Sequence, residues 1–329
     1  MAETTPIEVS IVVPTYNQTE LLKLLLASFD RMDVPMPLEV LVVDDCSPDD
    51  TGVVMRAWME QPHAFETRYL RLEQNGGPGV ARTRGAQEAR GRIVAYTDSD
   101  CIVEKDWIGN LVRKLDPGKK IVGVGGRVLA VSEKSVWARH YMLHKILEPH
   151  VWLQYIITCN CCYLREPLLE VGGFPAGFRC AGGEDLAACV LLWRQGWRLE
   201  RDDEAVVHHH FRHDLKNFCR TWYNYGYGSS YFMHRYLTRE ELLPHLGIQT
   251  GPNYWSGYAI IPTVTGVRSY IRDVKYVLSL TRAEGFGCLR TAEAIYTRAI
   301  ARVCYLIGWN RGREAYHQTL PRNGSESAA

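Results

Sequence analysis

Ile93-Val94-Ala95-Tyr96-Thr97-Asp98-Ser99-Asp100 is an apolar, strand-like run that ends in two carboxylates one residue apart. On a strand, residues i and i+2 face the same way. If the chain turns at the strand's carboxyl end, both acids can line one crevice. Taken alone, Asp-x-Asp equally fits a solvated turn. The segments on either side decide the reading.

Just upstream, Tyr69 to Leu72 reads as a short strand. It leads into Asn75-Gly76-Gly77-Pro78-Gly79-Val80-Ala81-Arg82-Thr83-Arg84-Gly85. A Gly-rich turn entering a helix lets backbone approach a ligand and presents free N–H groups. A dinucleotide-binding fingerprint is excluded, because these glycines follow the third strand and their spacing is wrong. Further upstream, Leu38 to Val43 is a strand ending at Asp44-Asp45-Cys46-Ser47-Pro48-Asp49-Asp50-Thr51. Ser47 as N-cap, Pro48 at the first helical position and acids in the first turn predict a helix start there. That start accounts for Asp49 and Asp50 but not for Asp44 and Asp45. At the beginning, Ile7 to Val13 reads as a buried parallel strand ending at Pro14-Thr15-Tyr16-Asn17. Thr19 to Phe29 then reads as a helix, with Asn17 and Glu20 as its capping pair.

These strand–helix units in series predict a parallel sheet covered by helices. Ligands of such sheets sit outside the carboxyl ends of the strands. Asp45, the Asn75 turn, Asp98 and Asp100 are therefore expected to converge.

Downstream, Ile121 to Val131 reads as one or two strands, Val136 to Leu147 as a helix, and Ile156 to Leu164 as a strand containing Asn160. Val171-Gly172-Gly173-Phe174-Pro175 is a turn. Gly182-Gly183-Glu184-Asp185-Leu186 opens an apolar helix that Gly196 ends. Trp197 to Val207 is a final strand running into His208-His209-His210. Cys159, Cys161, Cys162 and Cys180 with these histidines and His213 lack the paired Cys-x-x-Cys spacing of structural zinc sites, so buried thiols are expected.

The chain has 329 residues, 46% hydrophobic content and a formal net charge of +1. Nothing in that balance points to nucleic acid. The first residues lack the basic start and apolar run of a signal peptide. No apolar run approaches the ~20 residues of a transmembrane helix. Reduced thiols in a cytoplasm are expected for the ten cysteines.

Together, Val9–Asn17, Val42–Thr51, Asn75–Arg82, Asp98–Asp100, Gly172-Gly173-Phe174 and Glu184-Asp185-Leu186 resemble the family-2 inverting glycosyltransferases of the GT-A fold. The resemblance covers roughly residues 7 to 215. It implies an α/β fold with a Rossmann-like, mostly parallel sheet flanked by helices. Residues 1–215 would form the nucleotide-sugar-binding and catalytic domain. Residues 216–329 would form an aromatic-rich, mainly helical extension. The implied donor-nucleotide residues are Pro14, Thr15, Tyr16, Asn17, Asp45, Asn75, Gly77, Arg82, Asp98 and Ser99. Asp45 would accept from the base ring N–H, which suits uracil or thymine, and Asp98 would sit beside the ribose. Asp100 and His209 would hold a divalent cation, Mn²⁺ or Mg²⁺, with His208 and His210 as open alternatives to His209. Asp185 would be the catalytic base. Glu184 and Asn160 would lie on the acceptor side. The implied reaction is metal-dependent transfer of a sugar from a nucleoside-diphosphate sugar, expected to be a UDP-sugar, onto a hydroxyl by single displacement with inversion. The acceptor would be a glycan, a lipid-linked molecule or a small molecule.

In one respect the chain departs from that pattern. Many relatives carry another acid shortly after the Glu-Asp pair, where Leu186-Ala187-Ala188-Cys189 is apolar. Two alternatives stay open: a sugar-nucleotide nucleotidyltransferase, and a non-catalytic nucleotide-sugar or glycan-binding module.

From Phe218 to Tyr236 the chain is rich in aromatics. Leu289, Ala292, Ile295, Tyr296, Ala299, Val303 and Leu306 form an apolar helical stripe, with Arg290, Arg298 and Arg302 off it. The stripe is expected to pack on the catalytic domain, form a homodimer, or touch the inner face of a membrane, with Trp309, Arg311 and Arg313 near the interface. The tail from Asn323 is expected to be disordered.

Overall fold

The computed structural model describes residues 6–148, 155–178, 182–211, 213–237 and 267–319. They belong to two compact units, Met1–Phe211 and Arg212–Ala329. Cys180 and the tail from Asn323 lie outside the described residues.

The first unit opens with β1 (Val9–Thr15), α1 (Thr19–Phe29), β2 (Leu38–Asp44), α2 (Thr51–Met59), β3 (Glu66–Arg71), α3 (Pro78–Glu88) and β4 (Ile93–Thr97). Every residue of β1, β2 and β4 is buried, as expected of strands covered on both faces. By contrast, β3 is an edge strand and has no buried residue. The unit continues with β5 (Cys101–Val103), α4 (Trp107–Val112), β6 (Ile121–Ala130), α5 (Val136–Leu143), β7 (Asn160–Leu164), α6 (Arg165–Glu170), α7 (Glu184–Arg194) and β8 (Arg198–His209).

All eight strands form one sheet in the order β3-β2-β1-β4-β7-β6-β8-β5. Four of the seven pairings are parallel and three antiparallel, so parallel pairings are the majority in a mixed sheet. The antiparallel pairings come from β7, which runs against both β4 and β6, and from the short β5 against β8. The strand order reverses between β1 and β4, the kind of switch point at whose carboxyl ends such sheets bind ligands. Pairing of β1 with β4 runs to Val12 and Tyr96, so Thr15 and Asp98 both follow at the carboxyl ends of these neighbouring strands.

Three local expectations are corrected. The helix expected from Ser47 begins at Thr51, because Ser47 N–H donates to Asp44 Oδ1 at 2.7 Å and bends the chain first. Asp44 also accepts from Tyr69 Oη at 2.5 Å and Arg71 Nη1 at 2.7 Å, which gives it a structural role. Asn17 does not cap α1: it adopts a left-handed φ of 52°, and Gln18 is the N-cap residue.

The second unit contains α8 (Leu215–Tyr236), α9 (Val267–Ala283) and α10 (Cys288–Thr319). A Cβ at Gly308 would land on the carbonyl of Tyr223, and one at Gly312 on that of Tyr227. One turn further along, the rings of Tyr231 and Tyr316 lie 6.5 Å apart. Each step advances one turn in both helices, so α8 and α10 run parallel and nearly touch through glycine. Part of the expected apolar stripe of α10 faces the other way. Arg298 and Arg302 are 2% and 9% exposed and pair with Asp273 of α9, while Leu289, Tyr296 and Val303 are exposed. Tyr305 and Trp309 are the buried aromatics of α10. Among the described residues, no helix is long and apolar enough to cross a membrane.

Candidate active site

The Gly-rich turn is built onto the end of β2. Asp45 is 3% exposed and accepts from Gly76 N–H at 2.7 Å and Gly77 N–H at 2.8 Å. Asn75 Nδ2 donates to Asp45 O at 3.3 Å. Burial pushes the Asp45 carboxyl above its ordinary value, against the two backbone donors. Its oxygens thus shape the turn that starts α3. Of the β1 residues, Pro14 and Thr15 are buried at the strand end, while Tyr16 is 46% exposed beyond it. Thr15 Oγ1 is buried and finds no hydrogen-bond partner among the described residues. Ser99 Oγ donates to Gln18 Oε1 at 2.7 Å, a contact with no signal in the sequence pattern.

Arg82 was expected among the donor contacts, and the structure gives it other partners. It is 3% exposed; Nη2 donates to Asp98 Oδ1 at 2.7 Å and Nη1 to Glu184 Oε1 at 3.0 Å. Burial opposes its charge, but the carboxylates of Asp98 and Glu184 outweigh burial and hold its pKa above the usual range. Beside it, Thr83 Oγ1 accepts from Phe174 N–H at 2.9 Å and donates to Phe174 O at 3.1 Å. Thr83 lies next to Arg82 in the same Gly-rich segment, yet nothing in its spacing marked it.

At the N-terminus of α7, Asp185 is partly exposed and Glu184 is buried. Asp185 Oδ1 accepts from Gly183 N–H at 3.3 Å and Leu186 N–H at 2.9 Å. Burial and the adjacent Glu184 charge push the Asp185 carboxyl up to about 7, against Arg82 and those two N–H groups. A carboxyl titrating there can take a proton near neutral pH.

On the far side of Ser99, Asp100 Oδ1 lies 3.4 Å from His209 Nε2. Among the described residues, Asp100, Cys101 and His209 bring possible ligand atoms within 4.8 Å of one another. His208 Nε2 instead meets Glu104 Oε1 at 2.6 Å, as alternation along β8 requires. The His209 ring stacks on Phe211 at 4.6 Å, and Phe211 stacks on Tyr141 at the same separation. Its Nδ1 is buried and has no hydrogen-bond partner among the described residues. A carboxylate with an imidazole is a donor set suited to Mn²⁺. Cys101 fits less well. It is fully buried, its thiol donates to Cys159 O at 3.9 Å, and burial pushes it well above the ordinary thiol range.

Asn160, expected on the acceptor side, is 1% exposed. Its Oδ1 accepts from Trp107 Nε1 at 2.8 Å, and its Nδ2 donates to Arg127 O at 2.8 Å and Ala205 O at 2.9 Å. All of its side-chain donors are used inside the sheet, which leaves none for an acceptor.

Residues 10–172 match the model of glycosyl transferase family 2. The poly(ribitol-phosphate) beta-N-acetylglucosaminyltransferase TarS of Staphylococcus aureus (strain Mu50 / ATCC 700699) is 33% identical over 126 residues, which is 36% of this chain and 22% of that protein. The chain thus spans well under two thirds of that relative. Among solved structures, the mannosyltransferase PcManGT from Pyrobaculum calidifontis, in complex with GDP-Man and Mn²⁺, superposes with a TM-score of 0.61 at 20% identity, covering 95% of this chain and 90% of that one. Residues 1–349 of S. aureus TarS, in complex with UDP-GlcNAc, superpose with a TM-score of 0.53 at 18% identity, covering 95% and 92%. At such identities the likeness establishes the shared fold. Residues 10–172 therefore carry a family-2 glycosyltransferase domain, on the GT-A fold that these solved structures share.

Proposed function

We propose that this protein moves a sugar from a nucleoside-diphosphate sugar to an acceptor hydroxyl with inversion, and that UDP is the nucleotide. One observation carries the reading. Asp185 is partly exposed, is held by its own turn, and is joined through Glu184 and Arg82 to Asp98 at the carboxyl end of β4. A base and a donor-binding acid thus belong to one connected cluster.

In this reading Asp185 takes the proton of the acceptor hydroxyl as the oxygen attacks the anomeric carbon. The nucleoside diphosphate leaves from the opposite face, so no second nucleophilic carboxylate is required. General-base assistance of this kind contributes about 10²–10⁴-fold. Thr15, Tyr16 and the turn held by Asp45 seat the nucleotide. Asp98 lies beside the ribose. Asp100 and His209 would hold Mn²⁺ or Mg²⁺, which when bound supplies a Lewis acid for the diphosphate oxygens. The neighbours in complex with UDP-GlcNAc, or with GDP-Man and Mn²⁺, support a nucleotide-sugar and a divalent cation. The acceptor we infer is a glycan, a lipid-linked molecule or a small molecule. The inferred compartment is the cytoplasm, supported by every described cysteine being free. The exposed side chains of Leu289, Tyr296, Val303 and Ile307 offer a surface for a membrane face or a second copy.

Calorimetric titration with UDP, GDP, dTDP and CDP, with and without Mn²⁺, tests the donor. Tight binding of UDP that needs metal is expected. Preference for another nucleotide overturns UDP, and no metal-dependent binding of any overturns the enzyme reading. With the donor found, release of UDP rather than pyrophosphate separates transfer from nucleotidyl exchange.

A further inference from the structure

We propose that Arg82 is a positioning residue: its guanidinium pins the N-terminus of α7, with Asp185, to the donor side of the site and does not itself touch the donor. This rests on the glycosyl-transfer reading above. Between residues 172 and 183 five glycines have positive φ: Gly172, Gly173, Gly177, Gly182 and Gly183. Glycine has the least backbone preference of any residue, so these five positions do little to fix their own backbone. Yet the carboxylate that this segment delivers must be placed to within a fraction of an ångström to act as a base.

Contacts from α3 supply what the loop lacks. Thr83 brackets Phe174 through both its N–H and its carbonyl. Arg82 takes Glu184, whose other oxygen, Oε2, accepts from Gly182 N–H at 2.8 Å. The same guanidinium holds Asp98 at the end of β4. One rigid, planar, five-donor group thus ties a strand end to a helix start that lies far along the chain. A ligand contact is a poor alternative. Arg82 is 3% exposed, each terminal nitrogen already gives an N–H to a protein carboxylate, and Nε is buried.

The test uses the full chain with Arg82→Met and Arg82→Lys. Three readouts are taken: UDP affinity with Mn²⁺, transfer kinetics, and hydrogen exchange of the amides at 182–186. For Arg82→Met, UDP affinity is expected within about threefold of the parent, with kcat reduced by about 10²-fold, the scale of a small misplacement. Amide exchange at 182–186 is expected to accelerate. Arg82→Lys, which keeps the charge but cannot fork to two carboxylates, is expected to recover part of kcat. Glu184→Gln should reproduce the kcat loss, and the double variant should be no worse than the worse single, as for two residues of one strut. A tenfold or greater loss of UDP affinity with kcat retained overturns the proposal and makes Arg82 a donor contact. Unchanged exchange at 182–186 in Arg82→Met also overturns it, even if the parent protein turns over none of the sugar donors. In that last case the activity reading fails separately, because exchange is read without turnover.

Discussion

His209 Nε2 stands 3.4 Å from Asp100 Oδ1, although Asp100 lies near the middle of the first unit's sequence and His209 at its end. Strand β5 makes the meeting possible, since it pairs Cys101 directly with His209. The carboxylate and the imidazole face each other with Phe211 stacked on the ring. Asp100→Ala and His209→Ala are therefore each expected to weaken metal-dependent UDP binding by tenfold or more while sparing metal-free binding. Calorimetry at several Mn²⁺ concentrations reads this directly. An unchanged Mn²⁺ dependence in either variant removes that residue from the metal site.

Asp185→Asn is expected to leave UDP affinity nearly intact and to lower kcat by about 10²-fold or more, because the base is lost and the shape is kept. In the parent protein, kcat should rise with pH through about 7, as the raised Asp185 carboxyl loses its proton. A flat pH profile with strong residual transfer by the Asn variant would remove Asp185 from that role.

The same carboxyl has a consequence for stability. Its folded pKa is raised, so folding favours the protonated form. The stability it confers is complete below about pH 4 and is lost as pH rises toward 7. Each pH unit of such a displacement is worth about 1.4 kcal/mol. With the loss discounted for partial exposure, Asp185→Asn is expected to stabilise the protein by about 1–2 kcal/mol at pH 8 and by nothing near pH 4. Urea denaturation at the two pH values measures the difference. Equal differences at both would contradict the assignment.

Asn160→Leu leaves Trp107 Nε1 and the carbonyls of Arg127 and Ala205 without their partner. Each buried orphan costs about 1–3 kcal/mol, so the three together predict a loss of about 3 kcal/mol or more. UDP affinity and acceptor KM should hardly move in the fraction that stays folded. A normal stability with a raised acceptor KM would restore the acceptor-side role expected from the family resemblance.

Gly308→Ala places a methyl group where the carbonyl of Tyr223 lies. Backbone cannot yield as a flexible side chain does, so the α8–α10 crossing must open. A loss of about 2–3 kcal/mol is expected, visible as earlier thermal melting and faster exchange in both helices. Gly285→Ala is no useful control, because Gly285 has φ +67°. Gly287, with open space around it and no positive φ, is the better one.

Much of the catalytic unit was legible along the chain. β1, β2 and β4 announced themselves by apolar runs, and the acids at their ends followed from where those runs stop. α1 and β4 fall at the expected residues, Thr19–Phe29 and Ile93–Thr97. Such features are local: a buried strand needs only its own side chains to be apolar, and a helix only its own period. Strand β5 was missed because three residues carry too little pattern to read.

What the sequence by itself determined was therefore the order of elements, the family, and a set of polar residues at strand ends. Only the tertiary structure decided what each polar residue faces. It turned Arg82 inward to two carboxylates, used up the amide of Asn160 inside the sheet, and chose His209 over His208 to face Asp100. It also buried Arg298 and Arg302 against Asp273 and left Leu289, Tyr296 and Val303 of the apolar stripe outside. The physical reason is common to all four. A hydrophobic period says which side of an element can be buried. The partner of a charge or an amide is set by which distant segment packs against it, and that depends on strand pairing and helix crossing rather than on neighbours in the chain.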